Sequence, residues 1–187
     1  MTITKNSVVY CDANFLIALA CKRKGFEQPE RKWARILFAQ LLASGCKIIV
    51  STLTFDETWL GIRKESGPKS ISNNLRFTIN ELMKKIGVKL IDYGASEFSC
   101  AEIFDDLNFF TNQLLSHRNF LVVQFGDADN GVKNALENIK NFKWRPRDSF
   151  HLALMRDNAA TDCITGDNHF IKNKNQIDIN IINFKNL

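Results

Sequence analysis

Short β-branched runs alternate with helical stretches along this chain, and that alternation limits the fold more than any other feature. Residues 7–11 (SVVYC) read as a strand, and 13–20 (ANFLIALA) as a buried helix. Residues 30–43 place Trp33, Ile36, Leu37 and Leu41 at helical spacing, Ser44 and Gly45 stop that helix, and 47–50 return to a strand. A helix over 54–64, a break at Gly67 and Pro68, an amphipathic helix over 75–86 and a third strand over 88–92 follow. The last repeat is a helix over 148–158 and a fourth strand over 162–165, with a fifth edge strand over 177–182. Strands separated by helices predict a parallel sheet covered on both faces, a three-layer α/β/α sandwich with four to five strands.

Residues 96–144 break the rhythm. Helical stretches at 97–115 and 130–142 flank an aromatic-rich junction, 120–125 (FLVVQF), and this region reads as a helical elaboration of one domain spanning 1–187. Hydrophobic residues at 45% and charged residues at 24% exclude disordered, collagen-like and coiled-coil classes. The longest apolar run has seven residues (15–21), far short of the ~20 that cross a bilayer. No secretory leader is recognisable at the start, so a cytoplasmic protein without membrane association is expected. Five cysteines, Cys11, Cys21, Cys46, Cys100 and Cys163, lack any Cys-x-x-Cys pair and read as reduced, mostly buried residues. A net charge of +5 modestly favours polyanionic partners.

All strands of a parallel sheet leave by one edge, and ligands bind in the crevice outside those carboxyl ends. Asp12 follows the first strand, Glu57 opens the helix after the second, Asp148 opens the helix before the fourth, and Asp167 follows the fourth. Each has an ordinary structural explanation when taken singly. Asp12 suits a helix cap, Thr54 and Glu57 match a capping box, Asp148 favours the helix dipole, and Asp167 is a turn residue.

Gathered together, the acids have a different consequence. Two carboxylates ~5 Å apart at an effective dielectric of ~20 repel by about 3 kcal/mol, so four in one cleft require cations. An oxygen-rich nest suits Mg²⁺ or Mn²⁺, and two such ions can support in-line displacement at a phosphodiester. The expected chemistry is metal-dependent hydrolysis of RNA.

The blocks Tyr10-Cys11-Asp12-Ala13-Asn14, Ser51 through Glu57, Arg147-Asp148-Ser149-Phe150-His151 and Thr165-Gly166-Asp167 resemble, in order and spacing, the signature blocks of PIN-domain ribonucleases. That resemblance implies an α/β/α nuclease using Mg²⁺ or Mn²⁺ on single-stranded RNA, often the toxin of a toxin-antitoxin pair. It implies that Asp12, Glu57, Asp148 and Asp167 hold metal, with Asp56 as the alternative to Glu57 in a register shifted by one. Asn14 falls at a supporting polar position, and Thr165 at one that orients water. An antitoxin covering the acidic cleft and a homodimer are implied partners. His151 lies one helical turn after Asp148, on the same face.

The stretch 96–144 exceeds the matching region of compact toxin nucleases. Residues 127–131 superficially suggest a calcium loop, but the glycine falls one place early and Asn138 stands where the bidentate Glu belongs. Lys64, Arg145 and Arg147 lie near the acids and offer an RNA surface, with Lys22, Arg23, Lys24 and Arg63 as further basic residues. Trp144 or Phe170 would be available to stack a base. Two other readings compete: an aspartyl-nucleophile phosphatase built on Asp12, weakened by Asn14 where a second acid is expected, and a non-catalytic PIN-like module that binds RNA or protein.

Overall fold

A computed structural model describes residues 3–20, 29–66 and 103–186, with the side chains of 29 and 64–66 outside that description. In chain order these residues form β1 (Val8–Cys11), α1 (Ala13–Ala20), α2 (Pro29–Ser44), β2 (Lys47–Ser51), α3 (Thr52–Ser66), α4 (Phe104–Leu115), β3 (Phe120–Val123), α5 (Ala128–Phe142), α6 (Pro146–Asp157), β4 (Asp162–Thr165), α7 (Asn168–Lys172) and β5 (Asn180–Asn183). The sheet runs β3-β2-β1-β4-β5 and every neighbouring pair is parallel. The order reverses between β1 and β4, the position where an open parallel sheet leaves a crevice at its carboxyl edge.

Alternation along the strands sorts side chains onto two faces. Val9, Cys11, Ile48, Val50, Ile164 and Ile182 point to one side, where Phe15 and Leu16 of α1, Leu37 and Leu41 of α2 and Phe55 of α3 cover them. Tyr10, Ile49 and Cys163 point to the other, against Leu152 and Met155 of α6 and Phe170 of α7. The expected three-layer α/β/α sandwich is therefore the observed one. Cys11, Cys46 and Cys163 are free and buried; Cys21 and Cys100 lie outside the described residues. Among those residues, no helix is long and apolar enough to cross a membrane.

Two local expectations change. The run at 120–125, read as a junction between helices, contains β3, which pairs with β2 from Ile48↔Phe120 to Ser51↔Val123. Its β-branched residues satisfy their backbone groups on β2, while Leu121 and Val122 stay exposed at the sheet edge. The strand expected at 88–92 and the helix expected at 75–86 lie outside the described residues.

The start of α3 also differs from the expected Thr54-to-Glu57 capping box. Ser51 N donates to Thr54 Oγ1 at 3.4 Å, and Thr54 N donates to Ser51 Oγ at 3.1 Å. Ser51 thus caps the helix reciprocally with Thr54, and Glu57 is released from capping to face the sheet edge. Gly61 lets α3 approach α1 closely, since a β-carbon there would overlap Ile17 Cδ1. Pro146 supplies the preset φ of a first helical residue in α6, and α5 packs alongside that helix.

Candidate metal centre and its arginine rim

The carboxyl edge of β1 and β4 opens into a cavity of about 410 Å³, lined by Asp12, Glu57, Asp148 and Asp167 together with Asn14, His151, Arg145 and Arg147. Three routes bring the acids there. Asp12 and Asp167 leave the ends of the adjacent strands β1 and β4; Glu57 projects from the second turn of α3; Asp148 sits in the first turn of α6. Asp56, the alternative to Glu57, is exposed and does not line the cavity.

Asp12 is the buried anchor. Its Oδ1 accepts from Ala13 N at 2.7 Å, and its Oδ2 accepts from Asn14 Nδ2 at 2.7 Å and Thr165 Oγ1 at 2.6 Å. Asn14 Oδ1 in turn accepts from Gly166 N at 2.6 Å, and Thr165 Oγ1 from Asp167 N at 2.9 Å. Asn14 and Thr165 therefore strap the loop after β4 onto Asp12. Thr165 is fully buried and does not line the cavity, so its hydroxyl serves the two acids directly. Burial pushes the Asp12 carboxyl above its ordinary range, and the hydrogen bonds from Thr165 and Ala13 and the nearby His151 only partly offset that push.

A second chain of contacts crosses the sheet face from Tyr10. Its buried hydroxyl lies 3.0 Å from Ser51 Oγ, 2.7 Å from Thr54 Oγ1 and 2.7 Å from His151 Nδ1. His151 Nε2 then meets Glu57 Oε2 at 3.1 Å. Burial opposes charge on this imidazole, but the hydrogen bond to Glu57 and the charges of Asp12, Glu57 and Asp148 outweigh it and raise the pKa. Tyr10 was not among the residues singled out from sequence. The available signal was its place on β1 two residues before Asp12, a spacing at which extended backbone returns to the same face.

Arginines supply the counter-charge to the remaining acids. Arg145 Nε donates to Asp148 Oδ2 at 2.8 Å and its Nη2 to Asp167 Oδ2 at 3.2 Å, while Arg147 Nε meets Glu57 Oε1 at 3.0 Å. These carboxylates raise the Arg145 pKa further, chiefly through the Asp148 hydrogen bond. Both guanidiniums stay largely open to solvent, with side chains 65% and 56% exposed. Lys64 lies on α3 with its side chain outside the described residues. Lys22, Arg23 and Lys24 fall outside them entirely.

This arrangement fits a hard divalent cation. The acid group has recruited two guanidiniums, which marks where positive charge is wanted, and among the described residues the hydrogen bonds to Asp12 come from neutral donors. A carboxylate oxygen from Asp12, one from Glu57 and a ring nitrogen of His151 all lie within 4.8 Å of one another. Oxygen-dominated donor sets of this kind suit Mg²⁺ and Mn²⁺.

Other sequence expectations change here. Trp144 and Phe170 are buried, with ring centroids 5.1 Å apart in an edge-to-face pair, and neither presents a face for base stacking. The reason is that both rings join the core cluster of Tyr10, Ile49, Leu152, Met155 and Cys163. His169 enters the surroundings unanticipated: its Nε2 lies 3.8 Å from Asp148 Oδ2, and its ring packs edge-on to Trp144.

No protein-family model and no curated protein matches this chain. Among solved structures, VapC20 of Mycobacterium tuberculosis, a sarcin-ricin loop cleaving toxin, aligns with a TM-score of 0.49 and 15% identity, covering 92% of this chain and 98% of that one. FitAcB from Neisseria gonorrhoeae aligns with a TM-score of 0.47 and 11% identity, covering 96% of this chain and 99% of that one. The all-parallel sheet with helices on both faces is the α/β/α arrangement that the sequence resemblance to PIN-domain ribonucleases implies.

Proposed function

We propose that this chain is a cytoplasmic, metal-dependent endoribonuclease that hydrolyses phosphodiester bonds in single-stranded RNA, with Asp12, Glu57, Asp148 and Asp167 holding Mg²⁺ or Mn²⁺. The observation that carries this reading is the meeting of four acids from separate segments in one cavity with two exposed arginines at its rim. When bound, such a cation supplies Lewis acidity and offsets charge that gathers on phosphoryl oxygens. The chain's own residues do the rest. Asn14 and Thr165 fix Asp12, Tyr10 holds His151 beside Glu57, and Arg145, Arg147 and Lys64 meet the phosphate backbone. The toxin assignment follows the sequence motifs. An antitoxin presenting a basic side chain is a chemically suited inhibitor, because the cleft already pairs guanidiniums with Glu57, Asp148 and Asp167. A homodimer is proposed on the same resemblance.

The test is incubation of the purified chain with mixed single-stranded RNA and Mn²⁺, with and without chelator. Fragments that appear only with the metal are expected. Intact RNA, or cleavage indifferent to the chelator, would overturn the proposal.

A further inference from the structure

A buried imidazole nitrogen stands among the oxygen donors of the cleft. We propose that His151 is a direct ligand of the cation, so that the cleft selects first-row transition ions, Mn²⁺ in the first instance, over Mg²⁺. This rests on the metal-dependent reading above and specifies its ion.

Three observations support it. First, His151 is 3% exposed, yet it lines the cavity and places a ring nitrogen within 4.8 Å of oxygens from both Asp12 and Glu57. Two carboxylates and one imidazole then converge from β1, α3 and α6. Second, the ring is held from behind. Nδ1 lies 2.7 Å from Tyr10 Oη, and a histidine that ligates through one nitrogen needs an acceptor for the proton on the other. Tyr10 provides it, since its own proton can pass to Thr54 Oγ1 at 2.7 Å or Ser51 Oγ at 3.0 Å. The buried hydroxyl chain accommodates the tautomer with a lone pair on Nε2, and a bound cation takes the place of the proton that Nε2 otherwise shares with Glu57 Oε2 at 3.1 Å.

Third, Arg145 pairs with Asp148 and Asp167 and Arg147 with Glu57 Oε1, whereas among the described residues no guanidinium pairs with Asp12 or with Glu57 Oε2, the oxygen beside His151 Nε2. Imidazole nitrogen suits transition ions better than Mg²⁺, which dehydrates reluctantly and prefers oxygen. A site of this composition discriminates between ions that four carboxylates alone would treat more evenly.

Pulsed electron paramagnetic resonance on the Mn²⁺-loaded full chain reads the contact directly. Nitrogen hyperfine coupling from a ligated imidazole is expected, and His151→Ala should remove it. Calorimetry should show Mn²⁺ affinity in His151→Ala falling on the order of tenfold or more, with Mg²⁺ affinity changed about twofold at most. Tyr10→Phe, which keeps the ring packed, should weaken Mn²⁺ binding selectively and serves if the alanine variant does not fold. Mn²⁺ bound without nitrogen coupling, or equal losses for both ions, would overturn the proposal. Nitrogen coupling in a chain that leaves RNA intact would uphold the ligand assignment while the nuclease reading falls.

Discussion

Thr165 Oγ1 donates a 2.6 Å hydrogen bond to Asp12 Oδ2, joining the carboxyl ends of the two strands at which the sheet order reverses. The same oxygen accepts from Asp167 N at 2.9 Å, so one buried hydroxyl orients two of the four acids. Thr165→Val keeps the shape and removes both bonds. It should lower stability by about 1–3 kcal/mol, the usual cost of stranding buried polar groups, and reduce RNA cleavage, whereas Thr165→Ser should retain both. Urea denaturation with a cleavage assay on the same preparations checks this; an active, undiminished valine variant would remove Thr165 from the site.

Neutralising different acids should have different effects on the fold. Asp12 accepts three short bonds, from Ala13 N, Asn14 Nδ2 and Thr165 Oγ1. An amide at that position would turn donors toward donors, so Asp12→Asn should destabilise the metal-free chain by about 1–2 kcal/mol despite relieving repulsion. Asp148 is buried but its partner Arg145 is 65% exposed and screened by solvent, so removing the charge relieves about as much burial cost and repulsion as the pair contributes. Asp148→Asn should therefore leave stability nearly unchanged. Both variants should lose cleavage. Equal melting temperatures for the two would contradict the bonding described for Asp12.

Most of the frame was legible because its strands announce themselves. Val8–Cys11, Lys47–Ser51 and Asp162–Thr165 are β-branched runs that end beside turn or cap residues, and the carboxyl-edge rule then gathers Asp12, Glu57 and Asp167. Asp148 was legible through its neighbour, since Pro146 preorganises the first turn of α6. Strand β3 was not, because only Phe120 of its four residues is buried and no inside-outside alternation marks it. The Tyr10–His151–Glu57 chain was beyond sequence reasoning for another reason. It depends on how α3 and α6 pack on opposite faces yet reach the same edge, and spacing along the chain carries no record of that meeting.

The metal-free chain should lose stability as pH rises past neutrality. His151 is held above its ordinary value: burial opposes its charge, but Glu57, Asp12 and Asp148 outweigh it. Its contribution is complete below the unfolded value of roughly 6.5 and disappears as pH passes through the higher folded value. Asp12, raised by burial, acts in the same direction from a lower starting point, costing stability once pH climbs above the unfolded value of 3.8. Melting in the presence of chelator should therefore fall as pH rises above roughly 6.5, and His151→Gln should flatten the decline. A melting temperature that instead rises there would show that the imidazole is not held in its charged form.

Arg147 offers the cleanest separation of RNA binding from acid neutralisation. Its Nε lies 3.0 Å from Glu57 Oε1, yet the side chain is 56% exposed and sits at the cavity rim. In an Asp148→Asn background, where RNA is bound without being cut, Arg147→Ala should weaken binding about equally across sequences and reduce the dependence of log affinity on log salt by about one. That slope counts phosphate contacts, because each cation that meets the backbone releases condensed counterions. If Arg147 only balanced the charge of Glu57, its removal would leave the slope where it was. Filter binding across a salt series distinguishes the two, and an unchanged slope would take Arg147 out of the RNA surface.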